Sequence, residues 1–114
     1  MSSKSRAWCL TVNNYTEEER QAILHNSRSD YVIVGKETGE SGTPHLQGYI
    51  RFPNAVRLST LKKMFPRAHL EIARGTPEEN YKYCSKDGDF EEAGDRPSFS
   101  KHLEGIIYAV DTLC

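Results

Sequence analysis

The stretch from Tyr31 to Phe52 constrains the fold of this chain more than any other. Tyr31-Val32-Ile33-Val34-Gly35 is a continuous apolar, β-branched run that reads as a strand buried on both faces. His45 to Phe52 reads as a second strand. Between them, Thr38-Gly39-Glu40-Ser41-Gly42-Thr43-Pro44 has the composition of a loop. Short strand-to-strand loops of this kind, among mixed strands and helices, point to an α+β sandwich, a sheet covered by helices. Ala7 to Val12 is a further β-prone segment, closed by Asn13-Asn14. Ala68 to Ala73 alternates well enough for another strand, and a short edge strand is expected around Phe90.

Helices are expected between these strands. Thr16 followed by Glu17-Glu18-Glu19 is a capping box with acids in the first turn, and predicts a helix to Leu24 or His25. Leu58, Leu61, Met64 and Phe65 recur at helical spacing around Lys62 and Lys63 and predict a short amphipathic helix with a basic outer face. Thr76-Pro77-Glu78-Glu79 joins a cap, a proline at the first position and a glutamate three after the cap, so a helix starts there. It is expected to carry Tyr81, Tyr83 and Lys86 and to stop near Asp87-Gly88. Ser98 or Ser100 could cap a last apolar helix through Leu103, Ile106, Ile107 and Val110. Pro53-Asn54 is expected to end the third strand. The order β-α-β-β-α-β-α predicts an α+β fold, an antiparallel sheet covered by helices.

The chain has 114 residues, which suits one domain. No apolar run approaches the ~18 residues of a membrane span, so no membrane partner is expected. The polar Met1-Ser2-Ser3-Lys4-Ser5-Arg6 start does not read as a secretory signal. Cys9, Cys84 and Cys114 are an odd set without C-x-x-C spacing, which argues against a disulfide framework or a zinc knuckle and suits a reducing compartment. Net charge is −1, but its distribution is uneven. Residues 51–86 carry eight basic residues against three acids, whereas residues 87–114 carry seven acids against two bases. The middle of the chain can therefore present a positive surface.

Two local patterns carry chemistry. Period 2 on a strand puts His45, Gln47 and Tyr49 on one face, with Leu46, Gly48 and Ile50 on the other. His45 alone reads as a surface histidine after a loop. With Gln47, and with Glu37 reaching across from the preceding strand, it makes a hard, oxygen-rich and incomplete donor set that leaves positions open for water and phosphate oxygens and suits Mg²⁺ or Mn²⁺ better than Zn²⁺. In Tyr83-Cys84-Ser85-Lys86, a phenol and an ammonium lie three residues apart on a helix and share a face. A free phenol ionises near pH ~10, and a nearby ammonium favours the phenolate or offsets charge on a transferring phosphoryl group. Tyr81 has no lysine three residues on and points elsewhere, so Tyr83 is the expected nucleophile.

These motifs resemble those of the replication initiator (Rep) of circular single-stranded DNA viruses, the circovirus and cyclovirus group within the HUH endonucleases. Cys9-Leu10-Thr11-Val12-Asn13-Asn14 is similar to the family's DNA-recognition motif. Pro44-His45-Leu46-Gln47-Gly48-Tyr49 resembles its metal-binding motif, and Tyr83-Cys84-Ser85-Lys86-Asp87-Gly88 the motif that holds the nucleophile. Val34-Gly35-Lys36-Glu37 aligns Glu37 with the family's metal-binding acid, and the segment from His69 to Thr76 also has a family counterpart. The superfamily usually has a second histidine where this chain has Gln47; the circovirus group shares the glutamine. The single fitting tyrosine matches the viral class.

The resemblance implies a ferredoxin- or RRM-like HUH endonuclease fold that nicks and rejoins single-stranded DNA at an origin stem-loop. It implies a Mn²⁺ or Mg²⁺ ion on Glu37, His45 and Gln47, with attack by Tyr83 and support from Lys86. It implies DNA contacts among Cys9, Thr11, Asn13, Asn14, Arg51, Lys62 and Lys63. The host replication machinery as partner and the host nucleus as location follow from the same likeness. A helicase follows this domain in whole Rep proteins, but the chain has no G-x-x-x-x-G-K-[ST] loop. It is therefore expected to be a fragment of a longer protein, with oligomers expected only of the full-length form. Two other readings stay open: a non-enzymatic single-stranded nucleic-acid-binding sheet of RRM type, which should place aromatics on its central strands, and a protein-interaction module.

Overall fold

The computed structural model describes residues 3–39 and 42–98. The described residues form five strands and three helices: β1 (Lys4–Asn13), α1 (Glu17–Leu24), β2 (Tyr31–Thr38), β3 (Pro44–Arg57), α2 (Leu58–Met64), β4 (His69–Ile72), α3 (Pro77–Cys84) and β5 (Phe90–Gly94). The strands make one sheet in the order β4-β1-β3-β2-β5, antiparallel throughout. The α+β architecture expected from the sequence is what the chain adopts. The last apolar helix, placed through Val110, lies outside the described residues.

Alternation along the strands divides the core into two layers. Trp8, Leu10 and Val12 of β1, Val32 and Val34 of β2, and Leu46, Ile50 and Phe52 of β3 meet Ile23 and Leu24 of α1 and Leu61 of α2. On the other face Tyr31, Ile33, Tyr49 and Cys84 form a smaller cluster under α3, bordered by Ala7, Cys9, Tyr81 and Phe90. The run from Tyr31 to Gly35 is buried on both faces, as its unbroken apolar sequence requires.

Both capping boxes form. Thr16 and Thr76 accept from the backbone N–H of Glu19 and Glu79, whose carboxylates accept from the cap N–H groups in return, and Pro77 opens α3. Arg20, buried on α1, donates to Glu17 at 3.1 and 2.6 Å and meets Glu91 of β5, which ties that helix to the sheet edge.

Two boundaries differ from expectation. β3 does not end at Pro53-Asn54 but pairs again further on, with Val56 opposite Ser5 and Arg57 opposite Lys4. The register shifts between Ser5 and Ala7, and this irregularity absorbs a proline that has no N–H to give the ladder. Arg6 Nε donates to the Phe52 carbonyl across it, at 3.2 Å. α3 stops at Cys84 instead of reaching Gly88. Ser85 Oγ donates to the Tyr81 carbonyl at 2.7 Å, competing with helix continuation, and the chain turns until Gly88, at φ 79°.

The position of α3 is fixed by a backbone contact. A Cβ on Gly35 would lie 2.0 Å from the Cys84 carbonyl oxygen, so only glycine lets the last turn of α3 rest on β2. Further along, Tyr81 packs edge-on against Phe90 at 5.8 Å between centroids, and the Arg96 guanidinium lies 4.5 Å over the Tyr81 ring. Arg96 donates to both oxygens of Glu92, which also accepts from the Tyr31 hydroxyl at 2.6 Å. Gly35→Ala should therefore lift α3 from the sheet and cost about 2–3 kcal/mol or more, the scale of overpacking a tight site. Urea unfolding followed by Trp8 fluorescence reads this, and a loss under ~0.5 kcal/mol would show that the contact is not limiting.

Candidate active site on the α3 face

The β2–β3 register brings the proposed donors together. Glu37 lies directly opposite His45, and Gln47, two residues along β3 on the same face, lies between Gly35 of β2 and Thr11 of β1. Glu37 Oε1 is 3.0 Å from His45 Nε2. The two side chains are 9% and 21% exposed, so this pair sits at the edge of solvent rather than in it. Gln47 Oε1 accepts from the Thr11 hydroxyl at 3.3 Å, which fixes the direction of the amide. Among the described residues no cluster of three or more His, Cys, Asp or Glu side chains is gathered, so a cation site here depends on the Gln47 amide oxygen as well as Glu37 and His45. An imidazole, a carboxylate and an amide oxygen on one face fit a hard divalent cation that keeps open positions.

Tyr83 and Lys86 reach this site from α3. Lys86 lies in the turn after the helix rather than on it, yet the turn keeps the pair adjacent. The Lys86 ammonium is 3.9 Å from the centre of the Tyr83 ring and donates to the Tyr83 carbonyl at 3.4 Å. It also binds Glu37 Oε2. One cation thus joins the exposed tyrosine to the carboxylate that meets His45. Burial draws the Lys86 pKa down, but the hydrogen bond and charge of Glu37 outweigh it, so the pKa is raised and the ammonium stays charged. Tyr83 is 53% exposed, and an open hollow lined by Glu79, Lys82, Tyr83 and Lys86 lies beside it. Tyr81, by contrast, is occupied against Phe90 and Arg96 as a packing residue.

The remaining candidates divide. Asn13 pairs with His45 across the β1–β3 ladder, and the Asn14 N–H donates to the Pro44 carbonyl at 2.8 Å, so both asparagines stand beside the donor set. Asn14 has φ 51°, a left-handed turn that asparagine tolerates better than most residues. Cys9 is half-buried beneath α3, its thiol donating to Asn80 Oδ1 at 3.3 Å; its pKa is raised by burial and then by Glu71. Burial pushes the Cys84 thiol up to about 12. Arg51 shares the α3 face but lies four residues along β3 from Gln47, between Ala7 and Tyr31. Lys62 and Lys63 are not brought to the site. α2 buries Leu61 in the layer on the opposite side of the sheet, so its basic face points away from His45 and Tyr83. A hollow between α1 and α2, lined by Val12, Ile23, Met64 and Phe65, also lies on that far side and holds none of the reactive groups.

One residue near the site had no signal in its own segment. Arg67, counted in the sequence only as a positive charge, reaches back to the Asn13 and Asn14 carbonyls. Its partners are 54 and 53 residues away, beyond any local pattern.

Residues 5–87 match the family described as "Putative viral replication protein". The chain is similar to the replication-associated protein of Beak and feather disease virus, 54% identical over 89 residues covering 76% of this chain and 31% of that protein. It is similar to that of Pigeon circovirus, 53% identical over 87 residues, 75% of this chain and 27% of the relative. The replication-associated protein of Porcine circovirus 2 is 39% identical over 115 residues, 95% of this chain and 36% of that protein. The chain thus spans about a third of the length of these relatives. The family match runs from Ser5 in β1 to Asp87 and so includes Glu37, His45, Gln47, Tyr83 and Lys86; the chain belongs to the viral replication protein family.

Proposed function

We propose that this domain nicks and rejoins single-stranded DNA at a viral replication origin, through a covalent bond between Tyr83 and the 5′ phosphate of the cut strand. The observation that carries the reading is the Lys86 bridge between the Tyr83 ring and Glu37, which meets His45 in turn. Tyr83 is exposed on a helix end, where a bulky strand can approach it. Its phenolic oxygen attacks the scissile phosphorus, and the bond to the 3′ oxygen breaks. The Tyr83 proton passes to solvent, and the departing 3′ oxygen takes up a proton to become a free hydroxyl. The phosphotyrosine keeps a transferable phosphoryl group, so a later 3′ hydroxyl can displace Tyr83 and close the strand. This reversibility suits an initiator that must both open and seal a circle.

Glu37, His45 and Gln47 would hold Mn²⁺ or Mg²⁺. When bound, such an ion supplies Lewis-acid polarisation of a phosphate oxygen. Thr11 holds the Gln47 amide oxygen on this face, while Lys86 offsets phosphate charge beside Tyr83. Asn13 and Asn14 lie where a strand crossing His45 would pass. Arg51 is further along the same face, and Lys62 and Lys63 would meet only DNA that wraps to the other side. The RRM-type alternative fits less well, because Tyr31 and Tyr49 on the central strands are buried under α3 and offer no stacking platform.

Incubation with single-stranded oligonucleotides bearing circovirus-type origin loops should yield a slower protein band on a denaturing gel with Mn²⁺ and none with EDTA. Tyr83→Phe should abolish the band while retaining binding. An adduct that persists in Tyr83→Phe would contradict the assignment of the nucleophile. Thr11→Val should weaken Mn²⁺ binding roughly tenfold, the scale of losing a ligand's hydrogen-bond partner, and Thr11→Ser should restore it. Mn²⁺ titration followed by electron paramagnetic resonance measures this without turnover; equal affinity in Thr11→Val would remove Thr11 from the site.

A further inference from the structure

We propose that Arg67 is a positioning residue: it holds the Asn13–Asn14 turn in the shape that reads single-stranded DNA, and Glu19 holds Arg67. The inference rests on the reading of that turn as a DNA contact. β4 pairs with β1 only from Trp8 to Thr11. Beyond Thr11, β1 has therefore lost its neighbour on the β4 side while β3 still flanks the other. Arg67, two residues before β4 begins, takes the vacated place. Its Nη2 donates to the Asn13 carbonyl at 3.0 Å and the Asn14 carbonyl at 3.1 Å. On the opposite side the Asn14 N–H donates to Pro44, next to His45. The turn is thus pinned through its backbone from both sides, and both asparagine side chains stay exposed.

A guanidinium suits this place, since it donates in a fixed plane to several acceptors at once and a lysine ammonium does not. Glu19 completes the arrangement. It accepts from Arg67 Nε at 2.7 Å and Nη2 at 2.8 Å, and also from the Thr16 N–H at the start of α1. Its carboxyl is held down to about 2, first by the Arg67 hydrogen bond and then by Thr16, so it is fully charged near neutral pH. Although the Arg67 side chain is 51% exposed, this carboxylate cancels its charge. A phosphate approaching Arg67 would meet Glu19 too, which disfavours a direct phosphate contact. The same pair clamps the first turn of α1 to the end of β1. Pre-organisation of this kind favours binding by removing the cost of ordering the turn when DNA arrives.

The two roles give opposite signs at Glu19. As a bystander beside a phosphate-binding arginine, Glu19 repels DNA, and its neutralisation tightens binding. As the support of a positioning arginine, Glu19 is needed, and its neutralisation weakens binding. Glu19→Gln keeps an acceptor for the capping box, so α1 retains its start. The measurement is fluorescence anisotropy in a Tyr83→Phe background across a salt series. The probe is the oligonucleotide that this protein selects from a randomised loop, compared with a scrambled loop.

Glu19→Gln and Arg67→Lys should each weaken binding of the selected loop about fivefold, the scale of one ordinary net hydrogen bond. Arg67→Lys keeps its charge and should leave the scrambled loop and the salt slope unchanged, because no phosphate contact is lost, while Glu19→Gln should not weaken the scrambled loop. Tighter or equal binding by Glu19→Gln, or full retention by Arg67→Lys, would overturn the positioning role. Asn13→Ala combined with Asn14→Gly separates this from the underlying reading, since glycine keeps the left-handed turn. If that double variant weakens binding while the other two do not, only the role of Arg67 fails. If the double variant binds as the parent does, the turn is no DNA contact and both fail.

Discussion

The Cys84 carbonyl lies closer to Gly35 than any side chain at that position would permit, and the arrangement of the site depends on that contact. It sets the height of α3 above β2 and the point along β2 where the helix ends. Glu37 lies two residues further along the same strand, on the same face. The turn that follows Cys84 therefore delivers Lys86 to Glu37 and leaves Tyr83 facing solvent beside it. The cluster of Tyr31, Ile33, Tyr49 and Cys84 fills the space beneath, while Tyr81 and Arg96 brace the helix against β5.

The reactive face is built on contrast between the two layers of the protein. The face covered by α1 and α2 is a continuous apolar core and supplies most of the buried area. The face under α3 is only partly covered, so polar groups at its end remain near water. Glu37 is more enclosed than His45 or Lys86, and it is satisfied on both oxygens, by His45 on one and Lys86 on the other. A carboxylate this enclosed needs such partners, because burying its charge alone would be costly. The same enclosure strengthens its field on the Lys86 ammonium beside it.

Much of this was legible in the sequence because its chemistry is local. Thr16 with Glu19, and Thr76 with Pro77 and Glu79, specify helix starts within four residues, and both formed. Period 2 placed His45 with Gln47 and apart from Leu46, and the ladder has that arrangement. Non-local features were hidden. Passage of β3 beyond Pro53-Asn54 depends on the irregular pairing opposite Ser5 and Ala7, some fifty residues earlier. The end of α3 depends on Ser85 bonding back to Tyr81. The basic face of α2 was visible, but which side of the sheet it covers is a property of the chain's path. Arg67 offered no pattern of its own, because its partners lie on β1 and α1.

The proposed covalent bond requires the phenolic oxygen of Tyr83, rather than that of Tyr81 two residues earlier. Trypsin separates the two, since cleavage after Lys82 leaves Tyr81 on one peptide and Tyr83 at the head of the next. Tandem mass spectrometry of the protein–oligonucleotide adduct, trimmed by nuclease, locates the remaining nucleotide directly. The expected result is a nucleotide phosphate on Tyr83 in the peptide Tyr83-Cys84-Ser85-Lys86. The same mass on Tyr81, or on a residue outside α3, would contradict it.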